Sequence, residues 1–297
     1  MTLIEKLQKN FPELTILNQE PMSKHTSFRI GGPAQMVFPK SCEELMQVYR
    51  VCVTEGVRPL ILGAGTNILA PDDGLDTLVI CTKDVSQIKD NGNGTLEVDC
   101  GVQMSKCACY ARDLSLTGLE FAHGIPGTVG GGIYMNAGAY GGEMKQVVTK
   151  TLALLPDGSE WMVTGEEHDF SYRHSVFEEK NAVILKTWIT LSCGDKNAIA
   201  EKMQELAQKR RASQPLDLPS AGSTFKRPAG GYAAAMIDEA GLKGKGVGCA
   251  AVSEKHAGFV VNLGGATSAD VLATMDQIVN TVYARFGVKL EAEVRVW

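Results

Sequence analysis

The segment from Gly124 to Gly142 constrains the fold more than any other part of the sequence. Its nineteen residues, GIPGTVGGGIYMNAGAYGG, contain eight glycines. Because glycine loses more backbone entropy on folding than any other residue, this density is unfavourable for an ordinary helix or strand. Glycine is favoured where the backbone needs a positive φ or where another group must come close to it. Mobile linkers rarely carry apolar residues such as Ile125, Val129 and Ile133, so we expect an ordered segment whose main-chain amides surround a flat or phosphorylated ligand.

Composition limits the partners of the chain. With 297 residues, a prior of ~150 per domain gives about two domains. The net charge of −5 offers no basic excess for binding nucleic acid. The start of the chain lacks the apolar run of a signal peptide, and no apolar run is long enough to span a bilayer. We therefore expect a cytoplasmic protein that binds neither nucleic acid nor membrane.

Eight cysteines are scattered among apolar residues, and none forms a C-x-x-C pair. Zinc ribbons and fingers need closely spaced pairs, so we expect no metal site. Without an export signal, free thiols in a reducing compartment are the default.

Periodicity and turn signals predict a mixture of helices and strands, hence an α+β protein. A capping box starting at Ser41 opens the first strong helix, and Gly56 ends it. The polar segment from Ser213 to Pro219 is the best domain boundary. Further helices are predicted over 105–114, 195–211, 232–240 and 268–286, with Ser268 as the last cap and Gly287 as the stop. Strands are predicted over 58–62, 75–81, 86–90, 95–100, 147–155, 159–163, 182–191, 247–253, 258–263 and 288–297.

A second glycine-bearing turn, Gly63–Asn67, follows a predicted strand. Consecutive amides in such a turn form an anion nest suited to a pyrophosphate. It is neither a Walker loop nor a Rossmann fingerprint, because no Gly-Lys-Ser/Thr follows and Ile68 replaces the third glycine. Gly246–Ala251 matches G-x-G-x-x-A but opens a strand after a helix, so we interpret it as a chance match. The two glycine-rich turns predict one extended ligand, with a diphosphate at one and a ring system near the other.

Seven motifs together resemble the UDP-N-acetylenolpyruvoylglucosamine reductase family, in its shorter subclass. They occur in family order over nearly the whole chain. The motifs are HTSFRIGG at 25–32, LGAGTNIL at 62–69, the segment at 124–142, YRHS at 172–175, GSTFKRP at 222–228, KHAGFVVN at 255–262 and EAEVRV at 291–296.

This resemblance implies a two-lobed FAD-binding region of the vanillyl-alcohol-oxidase (PCMH) type, followed by a smaller α+β substrate-binding domain. The implied bounds are 1–82 and 83–212 for two FAD-binding subdomains and 213–297 for the UDP-sugar domain. The implied cofactors are non-covalent FAD and NADPH as reductant. The implied reaction reduces the enolpyruvyl group of a UDP-sugar for peptidoglycan synthesis, in a monomer or weak homo-oligomer.

The resemblance also implies the site residues. Arg173, Ser223 and Glu293 are the expected catalytic residues. Lys226 and Arg227 are the expected contacts to the UDP-sugar. The expected flavin contacts are Gly63, Ala64, Gly65, Thr66, Asn67, Ile125, Pro126, Gly127, Thr128, Gly131, Asn136, Gly138 and Ala139.

The implied reaction has two halves: NADPH reduces the flavin, and the reduced flavin then reduces the enolpyruvyl group. The chemistry of the second half suits these three catalytic residues. Negative charge that grows on the substrate carboxylate needs fixed positive charge, and the Arg173 guanidinium stays charged and can bind a carboxylate through two donors. The Ser223 hydroxyl is the expected proton donor, and it needs a strongly basic carbanion or nearby positive charge because it is a weak acid. Glu293, if protonated, could donate a hydrogen bond to the developing enolate.

Two other interpretations remain open. The chain could be an alcohol or lactone oxidase with the same flavin fold, although such enzymes lack the motifs at 222–228 and 291–296. It could also be a nonenzymatic nucleotide-binding module. One departure from relatives is Ala235, which stands where they often have a lysine; Lys243 and Lys245 are nearby substitutes.

Overall fold

A computed structural model describes all residues from 1 to 297. The chain contains eight α-helices and eighteen β-strands. The helices are α1 (Leu3–Asn10), α2 (Cys42–Thr54), α3 (Met104–Asp113), α4 (Val129–Tyr134), α5 (Val176–Glu179), α6 (Lys196–Ser213), α7 (Ala233–Glu239) and α8 (Ser268–Phe286). The strands are β1 (Thr15–Pro21), β2 (Pro33–Phe38), β3 (Leu60–Leu62), β4 (Ile68–Leu69), β5 (Val79–Cys81), β6 (Ile88–Asp90), β7 (Thr95–Asp99), β8 (Leu116–Thr117), β9 (Gly138–Ala139), β10 (Gly142–Glu143), β11 (Val148–Leu154), β12 (Glu160–Thr164), β13 (Val183–Thr190), β14 (Ser192–Cys193), β15 (Gly246–Val247), β16 (Ala250–Val252), β17 (Val260–Asn262) and β18 (Arg295–Val296).

The chain divides into two compact units, each assembled from separate stretches. The first unit comprises residues 1–18, 35–64 and 77–209, and the second comprises residues 19–34, 65–76 and 210–297. This division is spatial. The three consecutive domains expected from the sequence describe ligand-binding regions and stay a prediction.

Two main sheets build the first unit. One has the strand order β1-β2-β5-β3, and its strands β2, β5 and β3 run parallel. The other has the order β12-β11-β13-β7-β6 and is antiparallel throughout. The hairpin turns predicted around Asn91–Gly94 and Pro156–Gly158 connect β6 to β7 and β11 to β12, which confirms both. Helix α2 begins at the predicted cap, since the Ser41 hydroxyl accepts from the Glu44 amide, and it buries Leu45 and Val48 in the core of this unit.

The second unit packs α7 and α8 with the three-stranded antiparallel sheet β15-β16-β17 around its own apolar core. Phe28, Ile237 and Val271 are fully buried there. The G-x-G-x-x-A match lies in the hairpin of β15 and β16, with no helix after it, which confirms that it is not a dinucleotide fingerprint.

Two predictions at the end of the chain need correction. Only β18 (Arg295–Val296) of the predicted strand at 288–297 forms a regular strand. The rest does not, because the segment pairs with different parts of the chain along its length. Ala292 pairs with Phe225 in an antiparallel bridge, whereas Arg295 pairs with Ile68 in a parallel strand pair. The N-cap of α8 is Thr267, one residue before the predicted Ser268, because the Thr267 hydroxyl accepts from the Asp270 amide. The predicted stop at Gly287 is confirmed by its left-handed φ of 68°.

None of the eight helices combines the length and the apolar character that crossing a bilayer requires.

The N-terminus of α8 is also capped by a hydrogen-bond acceptor from the loop that contains Asp72. The Asp72 carboxylate accepts hydrogen bonds from the Ser268 amide at 2.8 Å and from the Ser268 hydroxyl at 2.6 Å. A carboxylate at a helix N-terminus also interacts favourably with the helix dipole. This contact therefore ties the loop after β4 to the longest helix of the second unit.

We expect Asp72→Ala to lower the free energy of unfolding by about 1–2 kcal/mol, since the first amides of α8 lose an anionic acceptor. The neighbouring Asp73→Ala, also at an exposed position, should change it by less than about 0.5 kcal/mol. Urea denaturation of both variants measures the difference. Equal losses would show that Asp72 does not stabilise α8.

Candidate active site

The glycine-rich segment folds into three ordered pieces. A 3-10 turn covers Glu120–Gly124, the six-residue helix α4 follows, and the short strands β9 and β10 form a hairpin. The expectation of order is therefore confirmed, whereas the expectation that glycine density excludes a helix is wrong for α4. The physical reason lies in packing, which here requires glycine inside a helix.

Close approach of neighbouring backbone explains these glycines. A Cβ at Gly130 would lie 2.8 Å from the Cβ of Cys100 and 3.0 Å from its carbonyl oxygen, so α4 sits directly against the chain just after β7. A Cβ at Gly132 would lie 2.9 Å from the Met104 sulfur. Gly131, in contrast, is exposed, and the nearest atom to a Cβ there is the Thr128 hydroxyl at 3.5 Å. Helix α4 thus packs on two of its three glycines and presents the third to solvent.

Thr128 connects the two glycine-rich turns within the first unit. Its side chain caps α4 by accepting from the Gly131 amide at 3.3 Å. A Cβ at Gly63 would lie only 2.5 Å from the same hydroxyl oxygen, so Gly63 packs directly against Thr128. The sequence predicted that both turns serve one ligand, and this contact brings members of both together. The surroundings are main-chain amides and hydroxyls, which fit a flavin dinucleotide with its diphosphate and its flat ring.

Asn136 has a different environment from the one expected of a flavin contact. Its side chain is 1% exposed. Its amide nitrogen donates to a Glu143 carboxylate oxygen and to the Ser171 carbonyl, both at 3.0 Å, and its amide oxygen accepts from the Lys145 amide at 2.9 Å. Both amide hydrogens are used within the protein. The flavin contact expected of Asn136 stays a prediction, and it would have to use the amide oxygen or the main chain.

The expected catalytic arginine occupies the tip of a tight turn in the first unit. Ser171 and His174 pair in an antiparallel bridge, which leaves Tyr172 and Arg173 as the two turn residues. Arg173 adopts a left-handed φ of 56°, a conformation that is uncommon for residues other than glycine. Its guanidinium carbon lies 5.1 Å from the centre of the Tyr172 ring. The turn therefore presents Arg173 from a defined backbone geometry.

Ser223 and Glu293 lie on paired segments of the second unit. The Glu293 amide donates to the Thr224 carbonyl at 2.8 Å, and the Lys226 amide donates to the Glu291 carbonyl at 2.8 Å. Thr224 is itself fixed, because its hydroxyl accepts from the Val260 amide at 2.9 Å. The structure thus pairs the segments that carry two of the three expected catalytic residues, which are seventy positions apart in the sequence.

The second half of the Gly63–Asn67 turn supports the same pair of segments. The Asn67 side-chain amide donates to the Glu293 carbonyl at 3.0 Å, and the Asn67 carbonyl accepts from the Arg295 amide at 2.9 Å. Gly65 is required here, since its φ is 63° and a Cβ would lie 2.0 Å from the His25 carbonyl oxygen. The predicted anion-binding turn therefore also fixes the backbone on both sides of Val294.

The two residues expected to contact the UDP-sugar both have neighbours within the second unit. The Lys226 ammonium forms an ion pair with Glu291, and the Arg227 guanidinium lies 4.5 Å from the centre of the Tyr232 ring. Both side chains lie at the surface or near it, which keeps their charge accessible to an anionic ligand. Ala235 is exposed on α7, and Lys243 forms an ion pair with Asp238 at 2.6 Å.

Other titratable groups near these segments carry structural roles. Burial lowers the pKa of His123, whose Nδ1 lies 3.7 Å from the Cys109 sulfur. Burial likewise lowers the pKa of His168, which is 0% exposed and lies 2.9 Å from the Thr151 hydroxyl. All eight cysteines are free, and burial raises the pKa of the Cys100 thiol to about 12. Asp169, His174 and Glu179 have potential ligand atoms within 4.8 Å of one another, but both carboxylates are exposed, as in ordinary surface ion pairs.

Comparison with known families identifies both parts of the chain. The family model described as "FAD binding domain" matches residues 33–184. The model described as "UDP-N-acetylenolpyruvoylglucosamine reductase, C-terminal domain" matches residues 214–297.

Full-length relatives agree. A protein named UDP-N-acetylenolpyruvoylglucosamine reductase from Caldanaerobacter subterraneus is 44% identical over 99% of this chain and 97% of its own length. The chain belongs to the UDP-N-acetylenolpyruvoylglucosamine reductase family. A relative of the same name from Limosilactobacillus fermentum is 42% identical over 99% of this chain and 98% of its own. The crystal structure of the Thermus caldophilus reductase superposes with a TM-score of 0.82 at 32% identity, covering 96% of this chain and 99% of that one.

The fold class expected from the sequence is confirmed, as is FAD as the cofactor of the matched domain. Alkyldihydroxyacetonephosphate synthase shares the fold at a TM-score of 0.50 and 14% identity over 64% of this chain and 40% of its own. That likeness concerns the fold alone. The family's motif residues Arg173, Ser223 and Glu293 are all present in this reductase-family chain, and their roles stay a prediction.

Sequence reasoning missed Ser171 and Ser175, which flank Arg173. The Ser171 carbonyl accepts from Asn136, and the Ser175 hydroxyl donates to the Tyr134 carbonyl at 2.8 Å. The only available signal was a pair of serines two residues on either side of the arginine. Their partners lie about forty residues upstream, a distance at which no local pattern predicts a contact.

Packing at α4 gives a test with neighbouring positions. We expect Gly130→Ala to lower the free energy of unfolding by about 1–3 kcal/mol, because the new methyl would clash with Cys100. Gly131→Ala adds a methyl to an exposed helical position and should stabilise by up to about 1 kcal/mol. Urea denaturation of flavin-free protein separates this effect from cofactor binding. Similar values for both variants would refute the close packing of Gly130.

Proposed function

We propose that this protein is an FAD-containing reductase that uses NADPH to reduce the enolpyruvyl group of UDP-N-acetylenolpyruvoylglucosamine. The product is UDP-N-acetylmuramate, a precursor of peptidoglycan. The observation that carries this proposal is the match to reductases of that name over essentially the whole chain, including the C-terminal domain characteristic of the family. We further propose a cytoplasmic location and a monomer or weak homo-oligomer.

The cofactor would be held mainly by main-chain groups. When bound, FAD would supply the chemistry for hydride transfer from NADPH to the enolpyruvyl double bond. Gly63 and Gly65 allow close backbone approach in the first turn, and Thr128 caps the short helix α4 of the second glycine-rich segment. Other proposed contacts are Ala64, Thr66, Asn67, Ile125, Pro126, Gly127, Gly131, the main chain of Asn136, Gly138 and Ala139.

Arg173 would stabilise the charge that develops during reduction. When hydride adds to the terminal carbon of the double bond, negative charge grows on the carbon next to the carboxylate and spreads into that carboxylate. A guanidinium is charged at all physiological pH values and can donate two parallel hydrogen bonds to a carboxylate. Its position at the tip of a defined turn holds this charge in place before the reaction, so little reorganisation is needed.

Ser223 would complete the reduction by donating a proton to the carbon that carries the negative charge. A hydroxyl is a weak acid, but a carbanion is a strong base, so the transfer is favourable once the charge has formed. Glu293, on the segment paired with that of Ser223, would donate a hydrogen bond to the acid-enolate when protonated. Lys226 and Arg227 would contact the diphosphate of the UDP-sugar.

The reaction itself tests the proposal against an oxidase with the same fold. We expect NADPH to bleach the flavin absorbance under anaerobic conditions, and the enolpyruvyl UDP-sugar to restore it within one turnover. An alcohol or lactone oxidase would instead be reduced by its own substrate and reoxidised by oxygen. A nucleotide-binding module would show neither step. Reoxidation by oxygen but never by the sugar would refute the proposed function.

Ser223→Ala should separate the two half-reactions. Reduction of the flavin by NADPH should stay within about twofold, whereas reoxidation by the sugar should slow by roughly 10²–10⁴-fold, the usual contribution of a positioned acid. Ser220→Ala, at a similarly exposed position three residues upstream, is the matched control and should leave both steps intact. Rapid-mixing absorbance measures both rates. Equal slowing of both steps would remove Ser223 from the role of proton donor.

A further inference from the structure

The turn that carries Arg173 has an unfavourable backbone conformation. Arg173 itself has a φ of 56°, and Asp169 and Asn181 on either side of the segment also have positive φ values, of 45° and 49°. Such conformations cost free energy for residues other than glycine and persist only where the surroundings impose them. The contacts that hold this turn should therefore be identifiable.

Two hydrogen bonds attach the turn to the glycine-rich segment, one on each side of Arg173. Before the arginine, the Asn136 side-chain amide donates to the Ser171 carbonyl at 3.0 Å. After it, the Ser175 hydroxyl donates to the Tyr134 carbonyl at 2.8 Å. Asn136 is 1% exposed and Ser175 is 0% exposed, so the donor residue of each bond is buried.

The Ser175 hydroxyl is used in an unusual way for its position. Ser175 is the N-cap residue of α5, where a serine hydroxyl ordinarily accepts from an amide of its own helix. Here the side chain makes no such capping bond. It instead spans forty-one positions of sequence to reach the last residue of α4. Helix α5 thus lacks the side-chain capping bond, and the Ser175 hydroxyl makes a long-range contact near Arg173 instead.

Asn136 is equally specialised. It has a φ of 41°, and asparagine tolerates this left-handed conformation better than most residues. Its amide donates simultaneously to the Glu143 carboxylate and the Ser171 carbonyl, which are both acceptors. An aspartate of the same shape would place a carboxylate against both of these oxygens, so only the neutral amide satisfies the site.

We propose that Asn136 and Ser175 are positioning residues that fix the Arg173 turn on the glycine-rich segment, and that this clamp sets the rate of sugar reduction. The second part rests on the proposed function, because it assigns Arg173 to the step in which the sugar is reduced. The first part concerns the turn alone and can be tested without any substrate.

Three variants of the holoenzyme test the clamp. Asn136→Gly removes the amide but allows the left-handed backbone, and Ser175→Ala removes the hydroxyl. The matched control is Thr187→Val, because the Thr187 hydroxyl is also 0% exposed and donates to a main-chain carbonyl, that of Lys150, at 2.8 Å. It lies in β13 and makes no bond to the turn.

Limited trypsin digestion reports on the turn independently of function. Trypsin cleaves after arginine, so cutting between Arg173 and His174 measures how readily the turn opens. We expect this cleavage to accelerate about tenfold in Asn136→Gly and Ser175→Ala relative to cleavage after the exposed Lys245. It should not change in Thr187→Val. Cleavage at Arg173 that matches the wild-type rate in both clamp variants would overturn the proposal.

The half-reactions then test what the clamp does. In both clamp variants, reoxidation of the reduced flavin by the sugar should slow by roughly 10–100-fold, as expected for a misplaced charged group, and reduction by NADPH should stay within about twofold. Arg173→Ala should slow reoxidation at least as much. A loosened turn with unchanged reoxidation would overturn the link between clamp and rate. If the wild-type enzyme is not reoxidised by the sugar, the proposed function fails, while the digestion result still decides whether the clamp exists.

Discussion

The close contact between helix α4 and the chain after β7 is the constraint on which the first unit's site depends. At Gly130 the two backbones approach so closely that even a methyl group would overlap Cys100. This contact fixes the start of the glycine-rich segment against the five-stranded sheet. The residues that follow along the segment, including Tyr134 and Asn136, are positioned by this contact. Their hydrogen bonds to Ser175 and Ser171 then hold the loop that carries Arg173. One close packing contact at a glycine therefore helps to position a side chain of the site about forty residues further along the chain.

The second unit achieves the same precision by strand pairing. Its C-terminal segment pairs first with the segment after Ser223 and then with the one after Asn67. The backbone before Val294 is hydrogen-bonded to Thr224, and the backbone after it is hydrogen-bonded to Asn67. The backbone at Val294 therefore has little conformational freedom. Val294 itself is buried, and the neighbouring Glu293 is half-buried. The Glu293 carboxylate is therefore carried by backbone that is hydrogen-bonded on both sides, to Thr224 and to Asn67.

The sequence predicted helices, strands and turns better than it predicted contacts between residues that are far apart along the chain. Helix α8 and the hairpins at Asn91–Gly94 and Pro156–Gly158 depend on local signals, namely caps, apolar periodicity and turn residues, and all were found. Helix α4 was missed because glycine density opposes helix formation locally, and only the distant Cys100 explains why glycine is needed. The contacts of the Asn136 side chain were not predicted for a similar reason. An asparagine in a glycine-rich turn suggests a ligand contact, while its actual partners, Glu143 and Ser171, could not be recognised without the fold.

The chemistry of the clamp explains why its members are neutral. A residue that positions an arginine by an ion pair consumes the charge and the donors that the arginine would offer to a substrate carboxylate. Asn136 instead donates to the Ser171 carbonyl, and Ser175 donates to the Tyr134 carbonyl, so these two bonds leave the guanidinium uninvolved. The free energy that opposes the left-handed backbone is offset by two hydrogen bonds from buried donor residues, of about 0.5–1.5 kcal/mol each. A site that must hold an arginine in place while preserving its positive charge for a ligand is best built in this way, through the backbone.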